Sequence, residues 1–331
     1  MIIESRAYAR AGLLGNPSDG YFGKTISIII RNFGAIISLY ESPELVIEEQ
    51  DVDRNEFRNI YHLVDSVHLT GYYGGTRLVK ATIKKFCEYC ENHNIKLSNK
   101  NFTIRYQSSI PRQVGLAGSS AIITATMKGL MKFFNVKIPL PLLPTLILSA
   151  EVDELDINAG LQDRVIQVYE GCVYMDFNKS YLEKHMHGKY ESIDPKFLPK
   201  LYLAYKTQLG KVSGKVFNSV KQKYENGDEF VHNTLSEIAE IAEKGKDSIL
   251  KHNYDELNEL INMNFDLRCK IMNISKSNIE MINMARDCGA SAKFSGSGGA
   301  IIGMYKDDEM LRKLVIRLKK INARVIKPYI S

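Results

Sequence analysis

The chain has 331 residues, of which 44% are apolar and 25% charged, with a net charge of +6 at pH 7. The length allows two compact domains or one large one, and the composition is that of a soluble globular protein. A membrane-spanning helix is excluded: no stretch reaches the ~18 apolar residues of a span, and the longest apolar tract, Ile138 to Ala150, is broken by Pro139, Pro141 and Pro144. The start, Met1-Ile2-Ile3-Glu4-Ser5-Arg6, lacks a signal peptide's basic residues and long apolar run, so a cytoplasmic protein is expected. Five scattered cysteines, Cys87, Cys90, Cys172, Cys269 and Cys288, then read as reduced thiols. The mild charge suits an anionic small substrate as well as nucleic acid.

In chain order, residues 1–51 are β-rich. Thr25 to Ile30 and Ala35 to Tyr40 are β-branched runs around Asn32-Phe33-Gly34, which predicts a hairpin, with a third strand at Leu45 to Glu49. Thr76 to His93 is helical; Cys87-x2-Cys90 lies inside it with no second ligand pair and reads as packing, not zinc. Phe102 to Tyr106 alternates as a strand. A loop follows, then a helix marked by Ile123, Met127, Leu130, Met131 and Phe134, and a second helix from about Leu140 to Glu154. Cys172 to Phe177 is strand-like, and the charged stretch Asn178 to Pro199 reads as a connection. Its His185-x-His187 pair has no carboxylate or cysteine cluster beside it and reads as surface. Leu201 to Tyr205 is a strand, followed by polar helices at roughly 213–225, 228–251, 253–273 and 276–288. The end reads strand–turn–strand–helix–strand, through Ala292, Ala300 to Tyr305, 308–320 and Arg324 to Lys327. In the basic stretch Arg312 to Lys320, the residues Leu311, Leu314, Val315, Leu318 and Ile321 mark a buried helix face, so the cations are its solvated side. No aromatics are interleaved there to stack bases, which argues against a nucleic-acid partner. Helices on one face of antiparallel sheets make the class α+β.

The chemistry is densest in the loop Pro111-Arg112-Gln113-Val114-Gly115-Leu116-Ala117-Gly118-Ser119-Ser120-Ala121. It joins a strand to the start of a helix. Glycines let backbone N–H groups approach an anion, the helix N-terminus adds partial positive charge, and the serine hydroxyls can cap the helix or hold a metal. Two other glycine runs are decoys. Gly23-Lys24-Thr25 resembles the end of a phosphate-binding P-loop, but Ser18 stands where its first glycine is required and a β-type run follows. Gly296-Ser297-Gly298-Gly299 has Ile301 where a dinucleotide fingerprint needs its last glycine.

The Pro111 to Ala121 loop resembles the second motif of the GHMP kinases, the small-molecule kinases named for galactose, homoserine, mevalonate and phosphomevalonate. Tyr8-Ala9-Arg10-Ala11-Gly12-Leu13-Leu14-Gly15-Asn16-Pro17-Ser18-Asp19 is similar to their first motif. Lys293-Phe294-Ser295-Gly296-Ser297-Gly298-Gly299-Ala300 is similar to their C-terminal glycine-rich loop. The resemblance covers nearly the whole chain. It implies a domain like domain 2 of ribosomal protein S5 over residues 1–185 and a ferredoxin-like domain over 186–331. It also implies ATP on Pro111, Gly115, Leu116, Ala117, Gly118, Ser119, Ser120 and Ala121, and on Ser295, Gly296, Ser297 and Gly298. Ser120 and Glu151 would be the Mg²⁺ ligands. Asp163 falls where many members place a catalytic aspartate, and Arg10 takes the place of a motif 1 lysine. Asp19 and Tyr21 would face the substrate. Arg112, Arg164 and Lys24 are candidates for a substrate carboxylate, and Arg164 is also expected to keep its neighbour Asp163 ionised.

Within the family, Gly15-Asn16-Pro17-Ser18-Asp19 and Gly160-Leu161-Gln162-Asp163-Arg164 look like the glucuronokinase-like sugar kinases. That implies transfer of a phosphoryl group to the anomeric hydroxyl of D-glucuronate. The expected partner is a small sugar or uronic acid, with no nucleic acid and no membrane, and a homodimer is compatible with the sequence. Two alternatives stay open: a family member acting on another sugar, a heptose phosphate or a polyol, and a silent ATP- and sugar-binding sensor. Intact Arg10, Ser120, Glu151 and Asp163 argue against the sensor, since a silent homologue is free to lose them.

Overall fold

The computed structural model describes residues 2–48, 74–207 and 215–331. Strand β1 (Ile2–Leu14) alternates exposed and buried residues as far as Ala7 and is buried from Ala9 onward. A 3₁₀ turn (Ser18–Tyr21) leads into β2 (Lys24–Ser42), which is one continuous strand. The predicted hairpin at Asn32-Phe33-Gly34 does not form. The two halves of β2 pair elsewhere: Lys24 to Ile28 with β5 (Cys172–Asp176), and Ala35 to Ser42 with β4 (Asn101–Ser108). Gly34 serves close strand approach instead, since a Cβ there would lie 3.2 Å from both the Ala7 carbonyl and the Tyr8 ring. The expected third strand is the short β3 (Val46–Ile47), parallel to β4; Glu49 lies outside the described residues.

Three helices follow the expected pattern. α1 (Gly75–Asn92) buries Leu78, Thr82, Phe86 and Cys90, one helical stripe. α2 (Gly118–Phe133) buries Ile123, Met127 and Leu130. α3 (Leu143–Leu155) carries Pro144 in its first turn, where a missing N–H is harmless. They pack on one another, and Phe86, Phe102, Phe133 and Phe134 interlock with ring centroids 4.9–6.0 Å apart.

α4 (Gln162–Tyr169) precedes β5. The stretch read as a connection contains α5 (Lys179–His185), β6 (Lys189–Ile193) and a 3₁₀ turn (Pro195–Phe197). Its elements are short and exposed: α5 buries no residue and β6 only Ile193, so no hydrophobic period marks them.

The remainder runs β7 (Leu201–Lys206), α6 (Lys215–Glu225), α7 (Glu229–Leu250), α8 (Tyr254–Ile271), α9 (Lys276–Arg286), β8 (Lys293–Phe294), β9 (Ala300–Met304), α10 (Asp308–Lys319) and β10 (Ala323–Ile326). Asp228, Asn253 and Asp307 cap α7, α8 and α10 by accepting backbone N–H bonds from Val231, Glu256 and Met310. The antiparallel sheet is ordered β10-β7-β9-β8. Numbered within itself this is 4-1-3-2, the ferredoxin-like order that the resemblance implied. Its core gathers Tyr202, Phe265, Met281, Ile282, Phe294, Ile301, Leu314 and Leu318. Val315 does not join Leu314 and Leu318 as expected; it is 43% exposed beside Ile316, so the buried stripe of α10 is narrower than its apolar content.

The chain divides into two compact units. One comprises residues 1–9, 33–110 and 117–159; the other comprises 10–32, 111–116 and 160–331.

Candidate active site

In the second unit the organising contact is Arg10 with Asp163. Arg10, on β1, is buried at 6% exposure; Asp163, in the first turn of α4, keeps 19% of its side chain exposed. Arg10 Nε donates to Asp163 Oδ1 at 2.6 Å and Nη2 to Oδ2 at 2.9 Å, the parallel fork that a planar guanidinium offers a carboxylate. Arg10 Nη1 donates to the Gly115 carbonyl at 2.6 Å and the Ser295 carbonyl at 3.1 Å. One guanidinium from motif 1 thus binds a residue of motif 2, a residue of motif 3 and the aspartate. Asp163 pairs most closely with Arg10, and its sequence neighbour Arg164 stands farther off. The Arg164 Nη1 is 3.7 Å from Asp163 Oδ2 and donates instead to the Gly160 carbonyl at 2.7 Å. An α-helix turns successive side chains by about 100°, so adjacency in sequence does not place Arg164 on the carboxylate.

The glycines here make room. Gly115 sits at φ +72°, and a Cβ on it would lie 2.8 Å from the Ser297 backbone nitrogen. Gly160 likewise has no space for a Cβ, which would meet Asp19 Oδ2 at 2.4 Å. Gly160 therefore seats the Asp19 carboxylate. Burial raises the Asp19 pKa to about 6, the like charge of Asp163 adds to this, and Arg10 opposes it. Burial lowers Arg164 to about 9, with a further contribution from the like charge of Arg10.

Two buried cations support the third motif. Arg268, on α8, donates to the Gly296 carbonyl at 2.9 Å and stacks over Phe294 at 5.1 Å; burial lowers it to about 10. Lys293 donates to the Gly12 carbonyl at 2.7 Å, the Phe294 carbonyl at 2.8 Å and Asn16 Oδ1, tying motif 1 to motif 3. Burial first, then Arg268 and Arg10, depress its pKa. Sequence reasoning assigned neither residue a role. The available signal was Lys293 itself, a lysine amid the small and apolar residues Ala290, Ala292 and Phe294.

In the first unit, Ala117 takes a left-handed conformation at φ 62° and α2 starts at Gly118. Ser119 Oγ donates to Glu151 Oε1 at 2.9 Å, and the buried Ser120 turns its hydroxyl to the Ala117 carbonyl at 3.2 Å. Glu151 is fully buried, not the solvated helix-end glutamate that its position in α3 alone suggests. Ser119, next to the expected metal ligand Ser120, thus also brings a hydroxyl to Glu151. One buried carboxylate with hydroxyls beside it fits a hard cation that takes its other ligands from phosphate and water. Among the described residues no group of three or more His, Cys, Asp or Glu is gathered to form a metal cage.

The other candidates are dispersed. Arg112 is exposed in the motif 2 loop. Tyr21 and Lys24 line a cleft of about 550 Å³ with Tyr224 and Glu243. The Tyr21 and Tyr224 rings lie 4.8 Å apart.

The family model described as GHMP kinases N terminal domain matches residues 77–171, and the one described as GHMP kinases C terminal matches residues 246–320. The chain is 45% identical to Glucuronokinase 1 of Arabidopsis thaliana over 306 residues, covering 91% of this chain and 84% of that one. It is 46% identical to Probable glucuronokinase 2 of the same plant over 308 residues, with the same coverage. The crystal structure of Methanococcus jannaschii mevalonate kinase superposes with a TM-score of 0.71 at 23% identity, over 100% of this chain and 98% of that one, a likeness of fold.

Proposed function

The chain belongs to the GHMP kinases, and from that premise we propose that it is an ATP-dependent sugar kinase that phosphorylates the anomeric hydroxyl of D-glucuronate. The observation that carries this reading is the Arg10–Asp163 pair: a carboxylate held in place by a guanidinium, with part of its surface still open to a ligand. Asp163 has lone pairs left to accept a hydrogen bond from the acceptor hydroxyl. As that oxygen bonds to the γ-phosphorus and the bond to the ADP oxygen breaks, its proton passes to Asp163. Arg10 keeps the carboxylate aimed through its two parallel hydrogen bonds. Asp19 accepts from another sugar hydroxyl. The motif 2 backbone and the start of α2 would cradle the ATP phosphates. Mg²⁺, held by Glu151 with Ser119 or Ser120 beside it, would supply charge neutralisation on the phosphates when bound. The free cysteines suit a reducing compartment such as the cytoplasm.

The direct test is ADP release with a panel of sugars and uronic acids, with the product's phosphate position assigned by NMR. Glucuronate should exceed glucose in kcat/KM by at least ~10-fold, about 1.4 kcal/mol, because a charged hydrogen bond to the carboxylate is worth at least that. Equal turnover of neutral sugars would retire the glucuronate reading and leave the sugar kinase. No sugar-stimulated ADP release would retire both.

Two further results are expected. With Asp19 titrating at about 6, kcat/KM for the sugar should fall as pH drops below that value, because the protonated carboxyl no longer accepts from a hydroxyl. Asp19→Asn should be weaker throughout and lose that acidic limb; an unchanged limb in the variant assigns it to another group. For the metal, Glu151→Gln should raise the Mg²⁺ concentration for half-maximal rate by at least ~10-fold, with Ser119→Ala acting in the same direction. Wild-type magnesium curves in both variants would remove Glu151 from the metal site.

A further inference from the structure

Lys24 begins β2, three residues after Tyr21, and projects into the cleft that Tyr21 and Tyr224 flank. Its ammonium donates to Glu243 Oε2 at 2.6 Å. The partner is a surface residue of α7 whose side chain is 58% exposed, while that of Lys24 is 28% exposed. Such a pair contributes roughly 0–1 kcal/mol and is readily exchanged. The buried cations of the same unit are engaged more firmly. Arg10 is forked onto Asp163, Arg164 is bonded to the Gly160 carbonyl, Arg268 to the Gly296 carbonyl, and Lys293 to three oxygens. Unlike these, Lys24 has a present partner that can leave into water.

The six-residue stretch from Asp19 to Lys24 leads from the catalytic pair to this cleft. Asp19 lies against Gly160 within the influence of Arg10 and Asp163, and its charge also acts on Tyr21. The 3₁₀ turn therefore presents Asp19 at the reacting end and Tyr21 in the cleft, with Lys24 just beyond. Tyr21 packs against Tyr224 at 4.8 Å and Tyr224 stacks on His232 at 4.0 Å, so these rings form one wall of the cleft.

Building on the glucuronate reading, we propose that Lys24 is the seat of the substrate's carboxylate and that Glu243 is a placeholder, which the uronate displaces on binding. The bound sugar would then span from Asp163 and Asp19 at its anomeric end to Lys24 at its acid end. The cleft also carries Asp176, the cross-strand partner of Lys24, and Glu240. Without a substrate these carboxylates make the cleft net negative. Removing Glu243 both frees the ammonium and reduces that charge, so its loss should improve uronate binding, opposite in sign to the loss of Lys24.

The experiment compares kcat/KM for D-glucuronate with that for its uncharged amide. In the wild type the acid should lead by about tenfold. Lys24→Met should erase most of that lead with the amide little changed, and Lys24→Arg, which keeps a charge able to pair with a carboxylate, should retain most of it. Glu243→Gln should lower KM for glucuronate about threefold, the scale of an exposed ion pair, whereas Glu240→Gln should not. A wild-type lead that survives in Lys24→Met overturns the inference and leaves the glucuronate reading intact. So does an equal gain from Glu240→Gln and Glu243→Gln, which would be a general field effect. No wild-type lead over the amide overturns the glucuronate reading and the inference together.

Discussion

Asp163→Asn is expected to lower kcat by ~10²–10⁴ while leaving the dissociation constant for ATP little changed. The amide is nearly isosteric with the carboxylate but cannot take a proton. It also turns an NH₂ toward one arm of the Arg10 fork, where Oδ1 and Oδ2 now accept at 2.6 and 2.9 Å. Loss of the base and loss of aim therefore act together. Single-turnover measurement of the chemical step, with ATP affinity determined separately, isolates the effect. A reduction of less than tenfold would make Asp163 an orienting group and show that a dissociative phosphoryl transfer here proceeds without a base.

Arg10→Met is expected to be nearly as damaging, for a different reason. It leaves Asp163 without its guanidinium and withdraws the donor from the Gly115 and Ser295 carbonyls. Breaking a largely buried ion pair by deleting one partner destabilises by about 3–5 kcal/mol. Loss of a preorganised charge at the reacting centre costs ~10²–10³ in rate. The variant should therefore show both a lower Tm and a lower kcat. Arg10→Lys should not restore either, because an ammonium cannot fork onto the carboxylate and reach two carbonyls from a single planar group. The double variant Arg10→Met with Asp163→Asn should be no slower than the worse single variant, since the two residues act as a unit. Fully multiplicative losses would mean that each residue acts on the reaction separately.

Much of the architecture was legible in the order of residues. The helices expected at Thr76 to His93 and at roughly 228–251, 253–273 and 308–320 lie close to α1, α7, α8 and α10. The continuous β2 was not legible. Gly34 reads as a turn residue in sequence, and only the strand carrying Ala7 and Tyr8 explains why a Cβ would be crowded there. The short exposed elements between Asn178 and Leu198 were missed because they bury almost nothing and so impose no period on the sequence.

For the site, the sequence by itself determined which residue types were present and in which loops: the Gly-Ser run that opens α2, Arg10 and Asp19 in the first motif, Asp163 after Gly160, and the last glycine loop. The tertiary structure decided the pairings. Arg10 and Asp163 are 153 positions apart, yet they pair at 2.6 Å, while Arg164, adjacent to Asp163, donates to a carbonyl. Ser119 meets Glu151, Lys293 joins Gly12 and Asn16, and Lys24 meets Glu243, each across a long stretch of chain. Hydrogen bonds form over about 3 Å and depend on direction. The periodicities readable in a sequence report only which face of a helix or strand a residue occupies. Which donor meets which acceptor is fixed when separate elements are packed together.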